Sequence, residues 1–326
     1  MINANLKTRL RNSFARIAGL ASADVNRKDN ANDDYLSSIA IKSSNLEFQS
    51  IGPVNNHLSG EVHSDIFSAY FPINIEQMVR RDTYNLPATS DRELYHGERH
   101  YDWWLSGLLD YLKISQVMNK YARPFKAGDS FYEMGCASGR VLRHFAIQRD
   151  DLNVWGSDIN NRHIEWMRLN LPENIKIFQN TILPQIPLES NSIDIACAFS
   201  VFTHIDDLDL AWLCEIRRAL KKGGFFYVTI HSDDTWNSLR PDDQIYKSLM
   251  AMAPHIHGYK ITEDFLAGPL PQDKTVFSWR ANNYNTNVFH KKDYIRREWG
   301  RFFKVHEIIR NGSQYQDVVV MQKPLD

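Results

Sequence analysis

The sequence runs to 326 residues, of which 43% are hydrophobic and 24% charged, an ordinary globular composition that excludes a disordered chain and a fibrous repeat. Lys plus Arg (38) and Asp plus Glu (39) leave a formal net charge of −1, against the cationic excess usual in proteins that grip nucleic acid phosphates. Three cysteines, none in a CxxC or Cys/His cluster, give no sign of a disulfide framework or zinc site and fit a reducing cytoplasm, while no apolar run approaches the roughly 20 residues of a membrane span.

The first 23 residues contain no acid but carry Lys7, Arg9, Arg11 and Arg16, with Leu6, Leu10, Phe14 and Ile17 at helical spacing. A short basic amphipathic helix is predicted, open to three readings: a solvated terminal helix, a peripheral membrane contact, or a transit peptide. Residues 24–44 are rich in Asn, Asp, Ser and Lys and read as a linker or surface loop. Residues 1–85 are taken as an N-terminal arm or accessory segment. A helix is predicted from about Glu98 to Tyr121, with Tyr101, Trp104, Leu105, Leu108, Leu112 and Val117 on its apolar face.

After Gly128 short apolar runs alternate with amphipathic ones. Strands are predicted at 130–134, 153–158, 175–178, 193–200 and 225–230, with helices over 138–148, 161–171 and 207–224 between them. Gly223 and Gly224 are expected to stop the last of these helices. Alternation at this pitch predicts an α/β fold with a doubly wound, mostly parallel sheet. Residues 302–309 and 317–323 are two further strands joined by the turn RNGSQYQ, so they pair antiparallel and complete a seven-stranded sheet.

The loop after the first of these strands reads Glu133-Met-Gly135-Cys-Ala137-Ser-Gly139. It is neither GxGxxG nor GxxxxGK[ST], so neither a dinucleotide fingerprint nor a P-loop is present. A carboxylate at the strand end suits a cationic or hydrogen-bond-donating ligand. Glycines let the backbone approach that ligand closely.

EMGCASGR resembles the first motif, D/E-x-G-x-G-x-G, of class I S-adenosylmethionine (SAM)-dependent methyltransferases, with Ala137 in place of the central glycine. Further matches follow in order. VWGSDIN brings Asp158 and Ile159 to the end of the second strand, where the family binds the ribose hydroxyls. IFQNTILPQIP brings Gln179, Asn180 and Thr181 after the third, where many relatives have an Asp facing the adenine amine. NSIDIACAFSVFTHIDD, with Ser200, is similar to the fourth-strand motif, and ALKKGGFFYVTIH to the helix-GG-strand motif. NLPATSDRELYHGERHYDWWLSG is similar to the LP…G lead-in of some bacterial members, which implies a helix capping the cofactor pocket, with Tyr101, Ser106 and Gly107 in its wall. The resemblance covers roughly residues 86–326. It implies SAM as cofactor and, as its ligands, Glu133, Gly135, Ala137, Gly139, Asp158, Ile159, Asn180, Thr181, Ser200, Tyr101 and Gly107.

Methyl transfer to an amine or hydroxyl needs alignment, exclusion of water and usually a positioned base. His204, beyond the fourth strand, and His231, at the end of the fifth, are the candidate catalytic residues. His290, read as opening the last helix, is a weaker third. His204 has a purely structural alternative, packing the next helix with Asp206 or Asp207 as its cap. Asp206 and Asp207 are expected at that helix start rather than on a metal, and no metal is expected. The insertion at about 233–286 is read as a lid holding Trp236, Tyr246, Phe265, Phe277, Trp279, Arg280 and Tyr284, either to stack on a substrate or to pack, as the lid's own core or a dimer contact.

The function expected is SAM-dependent methyl transfer to an oxygen of a small molecule or saccharide in the cytoplasm. N-methylation of a small amine and a catalytically silent SAM-binding partner subunit are the alternatives. Nucleic acid as acceptor is disfavoured by the balanced charge and by AFSV where an [ND]PP[YFW] motif would stand.

Overall fold

The computed structural model describes residues 47–58, 71, 73–253, 256, 258–278 and 286–326. The basic N-terminal helix, the linker after it, and Trp279, Arg280 and Tyr284 lie outside the described residues. The described residues form two compact units, 47–181 and 182–326.

In residues 47–181, strand β1 (Ser50–Pro53) pairs antiparallel with β2 (Asn85–Pro87), and helix α1 (Ile75–Arg81) lies between them in sequence. Asn74 caps α1 by accepting from the Gln77 N–H at 3.0 Å. Helix α2 (His100–Lys120) buries the predicted stripe, Tyr101, Trp104, Leu105, Leu108 and Leu112 among it. Two strand–helix repeats and a third strand follow: β3 (Ser130–Met134), α3 (Leu142–Ile147), β4 (Asn153–Asp158), α4 (Asn161–Asn170) and β5 (Lys176–Gln179). β3, β4 and β5 run parallel, with Glu133 opposite Gly156 and Asp158 opposite Gln179. Because parallel strands run in one direction, the loops after all three strands gather at one edge.

A buried ion pair braces this unit. The Arg143 guanidinium and the Asp82 carboxylate meet at 2.7 Å with both side chains wholly buried. Trp104 Nε1 also donates to Asp82 (2.7 Å), and Arg143 donates to the Tyr84 and Asn85 carbonyls. Burial alone would raise the Asp82 pKa, but Arg143 holds it below the usual carboxylate range.

In residues 182–326, β6 (Ile193–Ala198), α5 (Asp209–Ala219) and β7 (Leu220–Ser232) continue the alternation, and β6 and β7 are parallel. The insertion supplies α6 (Asp233–Asn237), α7 (Gln244–Met252), α8 (Glu263–Ala267), β8 (Lys274–Ser278) and β9 (Thr286–His290). Then come α9 (Lys292–Glu298), β10 (Lys304–Ser313) and β11 (Gln316–Gln322). β11 runs antiparallel to both β10 and β7, giving the order β10-β11-β7-β6. The chain is therefore a mixed α/β protein, its seven sheet strands mostly parallel, with the last strand reversed as expected.

Three local expectations are corrected. α5 ends at Ala219, not at the glycines: Leu220 is already extended, and β7 bulges against β6 between Leu220 and Phe225. Gly224 is required there because a Cβ would sit 2.9 Å from the Asp194 and Lys221 carbonyl oxygens. Asp206 and Asp207 precede α5, whose first turn is taken by Asp209. His290 ends β9 rather than opening a helix.

The insertion has its own core. Trp236, Leu249, Leu266, Phe277 and Phe289 pack together, Trp236 and Phe277 stacking at 5.6 Å. Phe265 and Tyr246 pack on its edge. Of the two readings left open, these aromatics take the packing one. β9 joins β7 in parallel beyond the point where β6 stops, with His231 opposite Phe289.

Candidate functional site

The loop after β3 is shaped by three left-handed residues, Gly135 (φ 70°), Ala137 (φ 46°) and Gly139 (φ 81°). The N–H groups of Gly135 and Cys136 donate to the Ser157 carbonyl at 2.8 and 2.9 Å, fastening the loop to β4. A Cβ on Gly139 would meet the Leu171 side chain at 2.8 Å, so close packing against α4 also demands glycine there. Ala137 adopts the same hand with a side chain, and its N–H donates to Asp158 Oδ2 at 2.8 Å.

Asp158 is the electrostatic centre of this edge. Its Oδ1 accepts the Asn160 N–H (2.8 Å), and His163 Nδ1 lies 3.6 Å away, an ion-pair rather than a hydrogen-bond distance. Burial opposes its charge, but His163 and the two backbone N–H groups hold the carboxyl below its ordinary range. Burial likewise opposes the His163 cation, which Asp158, Glu93 and Asp91 together favour, so its pKa is raised. Each Asp158 oxygen accepts one backbone N–H and keeps a lone pair for a second donor.

Glu133, at 2% exposure, behaves in the opposite way. Burial, reinforced by Asp110 and Asp158, pushes its pKa up to about 8 despite Arg140 and a backbone hydrogen bond from Leu142. Arg140 is itself held by Asp110 at 2.7 Å and by Ser106 Oγ at 3.3 Å. Glu133 Oε2 and Asn180 Oδ1 are both buried without a hydrogen-bond partner in the structure. Asn180 donates through Nδ2 to the Thr181 carbonyl (3.2 Å), so its free acceptor is the oxygen. Ile159, 37% exposed, supplies apolar surface at the same edge.

Glu133, Gly135, Ala137, Gly139, Asp158, Ile159, Asn180 and Thr181 thus gather at the carboxyl ends of β3, β4 and β5. Tyr101 is buried in α2, stacked on Trp104 at 6.1 Å. Gly107 brings α2 onto the loop: its Cβ would fall 1.9 Å from the Arg140 carbonyl oxygen. Buried acceptors at Glu133, Asp158 and Asn180 match a ligand carrying an ammonium, ribose hydroxyls and an adenine amine, so the residues present fit SAM.

In residues 182–326 the loop after β6 carries Ser200 in a left-handed conformation (φ 55°), its N–H donating to Thr229 Oγ1 at 2.7 Å. His204 Nδ1 meets the Thr286 carbonyl at 2.7 Å, and Thr286 Oγ1 donates back to the His204 carbonyl at 2.8 Å. A carbonyl only accepts, so Nδ1 carries the proton and Nε2 the lone pair. Burial lowers the His204 pKa, which keeps this ring neutral at neutral pH. His204 is thus oriented by Thr286, not by Asp206 or Asp207.

His231 is buried, with its pKa well below the ordinary value through burial and the neighbouring His204 and His290. Gln316, at the start of β11, reaches both His231 Nε2 (3.3 Å) and Ser200 Oγ (3.0 Å). His290 pairs opposite Ser232, one residue beyond His231, so alternation puts it on the other face of the strands. It packs there against Trp299 and Tyr294, its pKa driven down to about 3 by burial. Asp209 nearby is a buried anchor for Lys274 (2.7 Å), Tyr294 and Trp299.

Sequence reasoning missed Gln316 and Thr286. Thr286 holds the His204 ring through its backbone carbonyl, which leaves no signature, and Gln316 follows a hairpin turn far along the chain from Ser200.

Residues 132–228 match a family model described as "Methyltransferase domain". No curated protein matches the chain. Among solved structures, a putative methyltransferase of Haloferax volcanii, solved in complex with the Trm112 methyltransferase activator, is 14% identical at TM-score 0.44, over 68% of this chain and 96% of that one. A SAM-dependent methyltransferase of Mesorhizobium loti is 13% identical at TM-score 0.45, over 66% of this chain and 100% of that one. The 1,6-didemethyltoxoflavin-N1-methyltransferase of Burkholderia thailandensis, solved with bound 1,6-didemethyltoxoflavin and S-adenosylhomocysteine, is 11% identical at TM-score 0.43, over 68% of this chain and 81% of that one. Residues 132–228, which include β3, the loop after it and the carboxylates Glu133 and Asp158, are thus similar to a methyltransferase domain, and the cofactor that this similarity implies is SAM.

Proposed function

We propose that the protein methylates an oxygen of a small molecule or saccharide, with residues 86–326 as the methyltransferase domain and residues 233–286 as a lid on the acceptor side. The observation that carries this is His204, whose Nδ1–H is tied to the Thr286 carbonyl so that a neutral Nε2 lone pair is presented. A neutral amine already has the lone pair it attacks with. A hydroxyl gains most of its nucleophilicity by losing its proton, and a fixed imidazole that is neutral at neutral pH suits that task.

Bound SAM supplies an electrophilic methyl group on a sulfonium sulfur. Asp158 would accept the ribose hydroxyls through its remaining lone pairs, and Asn180 Oδ1, Ile159 and Thr181 would hold the adenine. Glu133 would pair with the ammonium, and Gly135, Ala137 and Gly139 would let the backbone come close. Tyr101 and Gly107 would form the wall from α2, and Ser200, in residues 182–326, is assigned to the cofactor by the resemblance alone. His204 takes the acceptor's proton at Nε2. His231 is assigned to the same rim. The basic N-terminal segment is proposed as a peripheral membrane contact.

The test is an acceptor screen with labelled SAM on two variants. Asp158→Ala is expected to weaken SAM binding more than tenfold by calorimetry, since a hydrogen bond to a charged group is worth roughly 1.5–3 kcal/mol. His204→Ala is expected to lose about 10²–10⁴-fold in turnover with SAM affinity unchanged. Unchanged SAM affinity in the first would move the ribose elsewhere. Retained turnover in the second would return His204 to a packing role.

A further inference from the structure

His204 and His231 both stand in residues 182–326, but their partners hold opposite nitrogens. His204 is held at Nδ1 by a carbonyl, which leaves a lone pair at Nε2. His231 is held at Nε2 by the Gln316 amide nitrogen at 3.3 Å. That nitrogen only donates, so His231 Nε2 is the acceptor and the proton of its neutral ring sits on Nδ1.

Gln316 is fixed for this duty. It is 6% exposed at the first position of β11, next to Asp317, which pairs with Ile230 of β7. Ser200 Oγ donates to Gln316 Oε1 at 3.1 Å and lies 3.0 Å from its Nε2, while Thr229 holds the Ser200 backbone. The amide therefore sits between Ser200 and the imidazole. The His231 ring packs against Phe289 (5.0 Å) and the half-exposed Tyr315 of the β10–β11 turn (5.8 Å). Its Nδ1 is buried and has no hydrogen-bond partner in the structure. Buried polar groups are ordinarily satisfied, and those that are not mark functional positions often enough to need a reason.

We infer that His231 is a hydrogen-bond donor to the methyl-accepting substrate, fixed in its Nδ1–H form by Gln316, so that the substrate carries an acceptor oxygen beside the group that is methylated. This rests on the proposed function in one respect, that the substrate binds at the rim bearing His204. The two histidines then divide the work: His204 Nε2 removes a proton and His231 Nδ1–H recognises the neighbouring oxygen. Gln316 acts through His231 and is a positioning residue. A site built to hydrogen-bond a substrate group discriminates strongly against analogues that lack it.

The experiment reads the tautomer directly, by long-range ¹H–¹⁵N spectra of the imidazoles in the full chain, with His204→Gln and His231→Gln used for assignment. The expected result is the Nδ1–H form at His231, converted by Gln316→Glu to the Nε2–H form that donates to the new carboxylate. The same variant, and Gln316→Met, should lower kcat/KM for the acceptor at least tenfold while leaving SAM affinity within twofold. Removing the neighbouring oxygen from the acceptor should cost the wild type a similar factor and cost Gln316→Glu little more. An Nε2–H signal in the wild type, or a Gln316→Met protein with unchanged tautomer and kinetics, overturns the inference. These outcomes are independent of the atom methylated: the Nδ1–H form together with transfer only to amines would overturn oxygen methylation and leave His231 as a donor.

Discussion

Residues 47–181 and residues 182–326 treat buried titratable groups differently. In the first unit two buried carboxylates are kept charged by a partner, Asp82 on Arg143 at 2.7 Å and Asp158 beside His163 with two backbone N–H groups, although burial drives the His144 pKa there to about 3. In the second, His204, His231 and His290 are all pushed toward neutrality by burial, although Asp209 with Lys274 shows that this unit also pairs charge where it needs an anchor. The division follows the chemistry proposed for each. The ribose hydroxyls would be held by Asp158, a carboxylate that stays charged. A proton is exchanged by an imidazole that starts uncharged at neutral pH.

The comparison breaks first at Asp82. Asp82→Ala leaves the wholly buried Arg143 without its counter-charge, and loss of one partner of such a pair costs about 3–5 kcal/mol. Urea unfolding should report that loss, and replacing both partners by apolar residues, Asp82→Leu with Arg143→Met, should recover most of it. A single variant that unfolds like the wild type would show that paired charge is not what braces this unit.

Glu133 is the carboxyl in the first unit that follows the rule of the second, and it offers the next largest effect. Its pKa near 8 lies above the ordinary 4.5, so across the intervening pH range the folded chain holds a proton that the unfolded chain has released. Stability therefore falls as pH rises through that window, at about 1.4 kcal/mol per pH unit, or on the order of 3 kcal/mol between pH 5 and 7. Glu133→Gln should flatten this slope in unfolding measured at several pH values. A variant with the wild-type slope would mean that Glu133 is ionised throughout. An ammonium beside Glu133 favours its charged form, so SAM binding to the wild type at pH 7 should release a proton, detectable as buffer-dependent heat, and binding to Glu133→Gln should not.

Most of the alternation was legible because each strand carries its apolar residues contiguously and each helix carries them on one face. β3 and β4 fall where SFYEM and NVWGSD predict, β6 stops two residues short of the predicted 193–200, and β7 extends beyond FFYVTI at both ends. The strand-end carboxylates were legible for the same reason, since Glu133 and Asp158 follow directly from where their strands stop. What escaped was set by distance along the chain. Arg143 and Asp82 are 61 residues apart, and Gln316 lies 116 residues from Ser200, so nothing local marks either contact. Misplaced boundaries have local causes of another kind. Gly223 and Gly224 look like a helix stop, but they serve a bulge in β7. His290 precedes a helix by sequence but completes β9, because Lys274 lies opposite it on β8.

The smallest effect compares two strained residues, one in each unit. Ala137 and Ser200 both hold left-handed backbone without being glycine, at φ 46° and 55°. That conformation costs an L-residue roughly 1–2 kcal/mol, while glycine gives back roughly 0.5–1 kcal/mol through its freer unfolded chain. Ala137 donates its backbone N–H to Asp158, a hydrogen bond that glycine would keep. Ala137→Gly should therefore stabilise the protein by about 0.5–1 kcal/mol in thermal or urea unfolding. Ser200→Gly relieves the same strain but removes the hydroxyl that bonds Gln316, at a net loss of about 0.5–1.5 kcal/mol per hydrogen bond, so the two changes should roughly cancel. Equal stabilisation by both variants would mean that the Ser200 hydroxyl contributes nothing to holding Gln316. A neutral Ser200→Gly beside a stabilising Ala137→Gly would locate the difference in the side chain: the first loop needs only its backbone, and the second needs its hydroxyl.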